Sequence, residues 1–199
     1  MILRTTLTSP FGRKALMAAH HLGLIGRLEI VHSDPREPED DLRKDNPLGK
    51  MPALVLPDGR RIFDSCVILE YFDHLVGGGK IIPADFDARI AALTLQALSD
   101  GIMDAALLVV YEGRYRPDAL RHEPWLDYQR GKITRGLDAL EKTMPDPAVV
   151  SVGTIATASM FGYLDWRKQV DWRARNPALE HWLDAFSTAC PAFAATRAE

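Results

Sequence analysis

Short apolar runs separated by turn signals fill the first third of the chain, and apolar positions at helical spacing fill the rest. Residues 2–7 read as a buried first strand. Thr8-Ser9-Pro10 follows as a helix start, with Ser9 at the N-cap and Pro10 as the first helical residue. Leu16, Ala19 and Leu22 line one face of that helix, and Gly23 suits its end. Residues 28–31 predict a second strand, parallel to the first by the usual crossover rule. Residues 32–45 are charged and carry prolines, which predicts a loop with a short irregular helix. Runs at 53–56 and 60–63 flank Pro57-Asp58-Gly59, the pattern of a β-hairpin. Ser65 then caps an apolar helix that runs to about residue 76.

Gly77-Gly78-Gly79 ends that helix, and a linker runs on to residue 86. Residues 88–111 predict a long helix, apolar on nearly all faces and so expected to be buried on several sides. Further helices are expected at 125–143 (Trp125, Ile133, Leu137 and Leu140 inward), 154–166 and 177–186. This divides the chain into a mixed α/β domain at 1–76, a linker at 77–86 and an all-helical domain at 87–199. A formal net charge of −3 with both signs interspersed points to neither nucleic acid nor an anionic membrane. No uninterrupted apolar run reaches the roughly 18 residues of a membrane span, so none is expected. Arg4 and Ser9-Pro10 come too early for a signal-peptide core, and the two cysteines, Cys66 and Cys190, are far apart. A reducing, cytoplasmic setting is the expectation.

Asn46-Pro47-Leu48-Gly49-Lys50-Met51-Pro52-Ala53-Leu54, followed by Phe63-Asp64-Ser65, resembles the glutathione-binding half of the glutathione S-transferase family. Ser9-Pro10-Phe11-Gly12-Arg13-Lys14 resembles the serine-type, bacterial members, in which the leading serine activates the thiol. The resemblance implies a thioredoxin-like N-terminal domain, an all-α C-terminal domain and a homodimer. It implies glutathione as co-substrate, a small hydrophobic electrophile as acceptor and a role in detoxification; separately, the six histidines, the His20-His21 pair included, show no ligand spacing, so no metal is expected. Glutathione would be bound by Phe11, Lys50, Met51, Pro52, Asp64 and Ser65, with Ser9 as the catalytic residue. Were the Met51–Pro52 bond cis, Met51 would offer a free N–H and C=O to a peptide-like ligand, as an added strand does. The family often has Glu or Gln where Asp64 stands, so the shorter side chain changes the reach. A protein of this fold that binds glutathione without catalysis is the alternative.

The physical case for Ser9 rests on its place at a helix N-terminus, which carries partial positive charge and free N–H donors. A thiol of pKa near roughly 8.5 is only a few per cent ionised at pH 7. A serine hydroxyl donating to the thiolate, aided by the dipole, could lower that by one to two units. Ser9 also reads as a plain N-cap, with Thr8 as the rival hydroxyl. Asp64-Ser65 likewise reads as a plain helix cap, and Lys50 as a solvated loop lysine. Cys66 reads as a small buried residue rather than a redox centre. Asp100 and Asp104 share a helix face and are expected to line the groove between domains or a subunit contact, holding a cation or capping groups. Phe11 and Tyr111 are the preferred acceptor-pocket residues, while most other helical apolar residues read as core. Thr154-Ile155-Ala156-Thr157 stands where the family has a Ser/Thr-x-x-Asp capping box, so Thr157→Asp is expected to stabilise the fold.

Overall fold

The computed structural model describes residues 1–197. Its first layer is built from β1 (Ile2–Thr5), α1 (Pro10–His21), β2 (Glu29–His32), α2 (Leu42–Asp45), β3 (Ala53–Val55), β4 (Arg61–Ile62) and α3 (Ser65–Leu75). The helices α4 (Phe86–Tyr115), α5 (Glu123–Lys142), α6 (Val152–Arg167), α7 (Trp172–Arg175), α8 (Pro177–Ala189) and α9 (Ala192–Ala195) make up the remainder. The thioredoxin-like layer and the helical layer expected from the sequence are both present.

The sheet has the order β2-β1-β3-β4. β1 pairs parallel with β2 and antiparallel with β3, and β3 pairs antiparallel with β4. Leu3 pairs with Leu54 of β3, both fully buried, while its β2 partner Ile30 is exposed at the sheet edge. β1 stops at Thr5 rather than residue 7, because Leu7 is left in an exposed turn. Gly59 closes the hairpin at φ 85°, a conformation that an L side chain rarely adopts. Asp45 is buried beneath Arg4 of β1 and Arg61 of β4, with Arg61 Nε 2.9 Å away. That triad ties α2 to two strands and fixes where the following loop begins.

Four expectations are corrected. The α3 cap is Asp64, whose carboxylate accepts from the Cys66 N–H at 2.8 Å, while Ser65 is the buried first helical residue. α4 is longer than expected and buried along one stripe only. Ile90 and Leu108 remain exposed on its outer side, since the neighbours α5 and α6 cover only part of it. By length and hydropathy α4 would also pass as a membrane span, despite its broken apolar run. Here it packs against α5 and α6 and takes an ion pair from α1. Trp125, expected inward, is 40% exposed at the start of α5, whereas Ile133, Leu137 and Leu140 are core.

The α6 cap is the fourth correction. Ser151 is the N-cap, and it forms a reciprocal box with Thr154, three residues on. Thr157 lies a turn further in, fully buried, with its hydroxyl 2.9 Å from both Ser99 Oγ and the Gly153 carbonyl oxygen. A carboxylate there would face that carbonyl without a cation. Thr157→Asp is therefore expected to destabilise the fold by about 3 kcal/mol, the reverse of the sequence expectation. Urea unfolding measures this, and a variant as stable as the parent would refute the assigned cap.

Candidate glutathione site between the sheet and the helices

Strand direction brings the site together. β1 leaves the sheet at Thr5, β3 enters beside it with Ala53 opposite Arg4, and β4 leaves with Ile62 opposite Leu54. The β1–α1 turn, the Met51–Pro52 bond and the start of α3 therefore emerge at one end of the sheet. Ser9, Met51, Pro52, Asp64 and Ser65 all belong to that end.

Ser9 has extended backbone and caps α1. Its Oγ accepts from the Gly12 N–H at 3.1 Å. The hydroxyl proton has no acceptor among the described residues. Capping and donation thus use different parts of one group: the lone pairs serve the helix, and the O–H stays available. Gly12 is required nearby, since a Cβ there would lie 1.8 Å from Thr5 Oγ1 and 3.1 Å from the Thr6 carbonyl oxygen.

The loop before β3 is knitted by Asn46, a buried residue to which the sequence assigned no role. Its Nδ2 donates to the Lys50 carbonyl at 2.8 Å, and its Oδ1 accepts from the Leu48 N–H at 3.0 Å. Gly49, at φ 61°, completes the turn. Met51–Pro52 is cis, as is Phe63–Asp64. The Met51 N–H and C=O take no backbone partner among the described residues. Lys50 is exposed beside them and makes no ion pair among the described residues.

Opposite this loop, α4 supplies acids. Lys14 of α1 is completely buried and places Nζ 2.9 and 2.7 Å from the two oxygens of Asp100. Cys66 Sγ lies 3.2 Å from Asp100 and 3.6 Å from Lys14 Nζ. Cys66 is exposed as a residue, not buried as expected, because it stands on the open side of the first turn of α3. Desolvation of its sulfur, with Asp100 adding to it against Lys14, pushes the thiol up to about 12. Such a thiol stays protonated at neutral pH and is a poor nucleophile. Burial also raises Asp104, assisted by the negative charges of Asp100 and Asp64 and opposed chiefly by Lys50. Asp100 does hold a cation, as expected, and the cation comes from this same chain.

Of the two acceptor candidates, Phe11 is half-buried against the core with Lys14 Nζ 5.9 Å from its ring centroid. Tyr111 belongs to an aromatic group with Tyr115, its ring 5.3 Å away in an edge-on arrangement. Tyr163 and Trp166 of α6 line a small cavity with Leu7, Thr8 and Pro10, the residues flanking Ser9. Met103 and Phe161 are core.

A family model for the glutathione S-transferase N-terminal domain matches residues 8–75. The Escherichia coli (strain K12) protein YibF, an uncharacterized GST-like protein, is 37% identical over 172 residues, 84% of each chain. The chain belongs to the glutathione S-transferase family. A glutathione transferase family member from Pseudomonas fluorescens Pf-5, solved with bound glutathione, superposes on this transferase fold with a TM-score of 0.93. That protein is 39% identical, and the match covers 100% of this chain and 98% of the other. A second structure of the Pf-5 family member, with bound S-(propanoic acid)-glutathione, gives a TM-score of 0.90 at 39% identity, with both chains covered completely. The family model, over residues 8–75, spans the β1–α1 turn, the Met51–Pro52 bond and the start of α3 described above.

Proposed function

We propose that this chain is a glutathione-dependent transferase in which Ser9 holds the sulfur of glutathione as a thiolate for attack on a small electrophile. The observation that carries this reading is the Ser9 hydroxyl. It is fixed at the start of α1 by the Gly12 N–H, and its proton is still free to donate. A thiolate in front of it would also meet the positive end of α1. The cysteinyl backbone of the tripeptide pairs with Met51, whose peptide groups are unpaired at the end of β3. Ser65 and the first N–H groups of α3 receive the γ-glutamyl carboxylate, and Asp64 receives its ammonium. Lys50 meets the glycine carboxylate. Residues 1–76 then serve as the glutathione-binding domain and residues 87–199 as the domain that closes the acceptor side. A relative at 39% identity holds S-(propanoic acid)-glutathione, which supports a site that accepts a substituent on sulfur.

Calorimetry with glutathione, alongside conjugation to a chloronitrobenzene, tests the reading. Binding with turnover is expected. Binding without turnover would favour the non-catalytic module, and no binding at all would remove the proposal.

A further inference from the structure

Beyond the sulfur site lies a group of residues that thiol activation does not use. Tyr111 and Arg114 sit one turn apart on α4, with the Arg114 guanidinium 5.4 Å from the Tyr111 ring centroid. Tyr163 and Arg167 sit one turn apart on α6, with the Arg167 guanidinium 5.6 Å from the Tyr163 ring and 3.8 Å from that of Trp166. Tyr163 is only 4% exposed, and its hydroxyl is buried with no hydrogen-bond partner among the described residues. Arg167 Nε is in the same position. Arg167 faces the phenol and can donate to its oxygen, which leaves the Tyr163 O–H as a buried donor with no acceptor of its own, at a cost in free energy.

Nearby acids do not supply one. Glu112 of α4 is held by Arg116 and by the His122 N–H. Asp165 of α6 is held by Arg173 and Trp172. Arg114 and Arg167 make no ion pair among the described residues. The cluster therefore has two uncommitted guanidiniums, and two phenols whose burial raises their pKa and keeps them protonated as donors. It has donors and positive charge, and apart from the phenol oxygens themselves no acceptor. Tyr163 and Trp166 line a small cavity with Thr8, next to Ser9, which sets the α6 side of this group beside the start of α1.

We propose that the electrophile conjugated here is an anion, its carboxylate bound by Arg167 and Arg114 together with the hydroxyls of Tyr163 and Tyr111. This rests on the transferase reading above and names the substrate class for that site. Planar guanidiniums pair with carboxylates through parallel hydrogen bonds, and the aromatic faces of Trp166 and Tyr111 accommodate an unsaturated or aromatic body. In the substitution form of the reaction, the thiolate forms a carbon–sulfur bond, the carbon–chlorine bond breaks, and chloride leaves with the bonding pair. The thiol proton is released to solvent.

The test uses a chloronitrobenzoate with chlorine para to the carboxylate, and the matching benzamide, each rate divided by its uncatalysed rate with glutathione. The wild type should favour the benzoate in kcat/KM by about tenfold, the effect of one charge-assisted hydrogen bond. Arg167→Gln and, separately, the exposed Arg114→Gln should each lower the benzoate-to-benzamide ratio several-fold. Calorimetry with the two purified glutathione conjugates should show the same preference without turnover. A wild type that treats benzoate and benzamide alike, or variants that leave the ratio unchanged, would overturn the inference. If glutathione binds and this preference is absent, only the anionic acceptor is lost. If glutathione itself does not bind, the transferase reading fails first.

Discussion

Ser9→Ala should bind glutathione about as tightly as the wild type yet conjugate it roughly 10- to 100-fold more slowly near pH 7. The hydroxyl donates to one ionisation state of the sulfur, so its removal acts on reactivity more than on retention of the tripeptide. A bound thiol lowered from roughly 8.5 to about 7 is half ionised at pH 7, against a few per cent without the shift. The sign of the pH dependence follows. The defect should be largest at and below neutrality and should shrink above about pH 9, where the thiol ionises in both proteins. Thiolate absorbance of the bound tripeptide, titrated against pH, reads this directly. Coincident curves for wild type and variant would remove Ser9 from the mechanism. The variant also loses a helix cap, so its stability should fall by about 1 kcal/mol. That loss is independent of pH near neutrality, which separates the two roles.

Lys14→Met should cost about 3 kcal/mol of folding free energy in urea unfolding. Lys14 is fully buried and grips both oxygens of Asp100, which is itself largely buried. Removing the cation leaves a carboxylate with only the Cys66 thiol and like charges nearby. The pair itself need not stabilise, because two charges had to leave water to form it. Lys14→Met with Asp100→Leu should therefore recover most of the loss and come within about 1 kcal/mol of wild type. A single variant as stable as the parent would show that the bridge is not formed in solution. Because Lys14 joins α1 to α4, the single variant should also loosen the glutathione side of the cleft.

Local patterns in the chain carried much of this architecture. Ser9-Pro10 favours a helix start, and Pro57-Asp58-Gly59 between two apolar runs favours a hairpin turn, because φ preferences and missing donors act within a few residues. The same holds for Gly77-Gly78-Gly79, all at positive φ. Asp73 shows where such reasoning stops. Its buried carboxylate accepts from the Gly79, Lys80 and Ile81 N–H groups, each at 2.8 Å, and so steers the linker, yet nothing local marks it. The α6 cap failed for a related reason. Thr154 and Thr157 have the right spacing for a box, but Ser151 fits the same rule, and only the packing of α6 on α4 shows which residue lies inside the helix.

The sequence by itself determined the order of the strands and longer helices, the hairpin, the Ser9 helix start and the loop from Asn46 to Pro52, since each depends on neighbours along the chain; the short helices α7 and α9 it did not mark. Tertiary structure alone decided that Lys14 meets Asp100, 86 residues away, and that Cys66 is silenced beside them. It likewise decided that Tyr111 and Arg114 of α4 lie within electrostatic reach of Tyr163 and Arg167 of α6. Those contacts come from helices whose apolar spacing specifies an inward face but not which face of which neighbour it meets. Their partners are set by packing, and packing is a property of the folded chain.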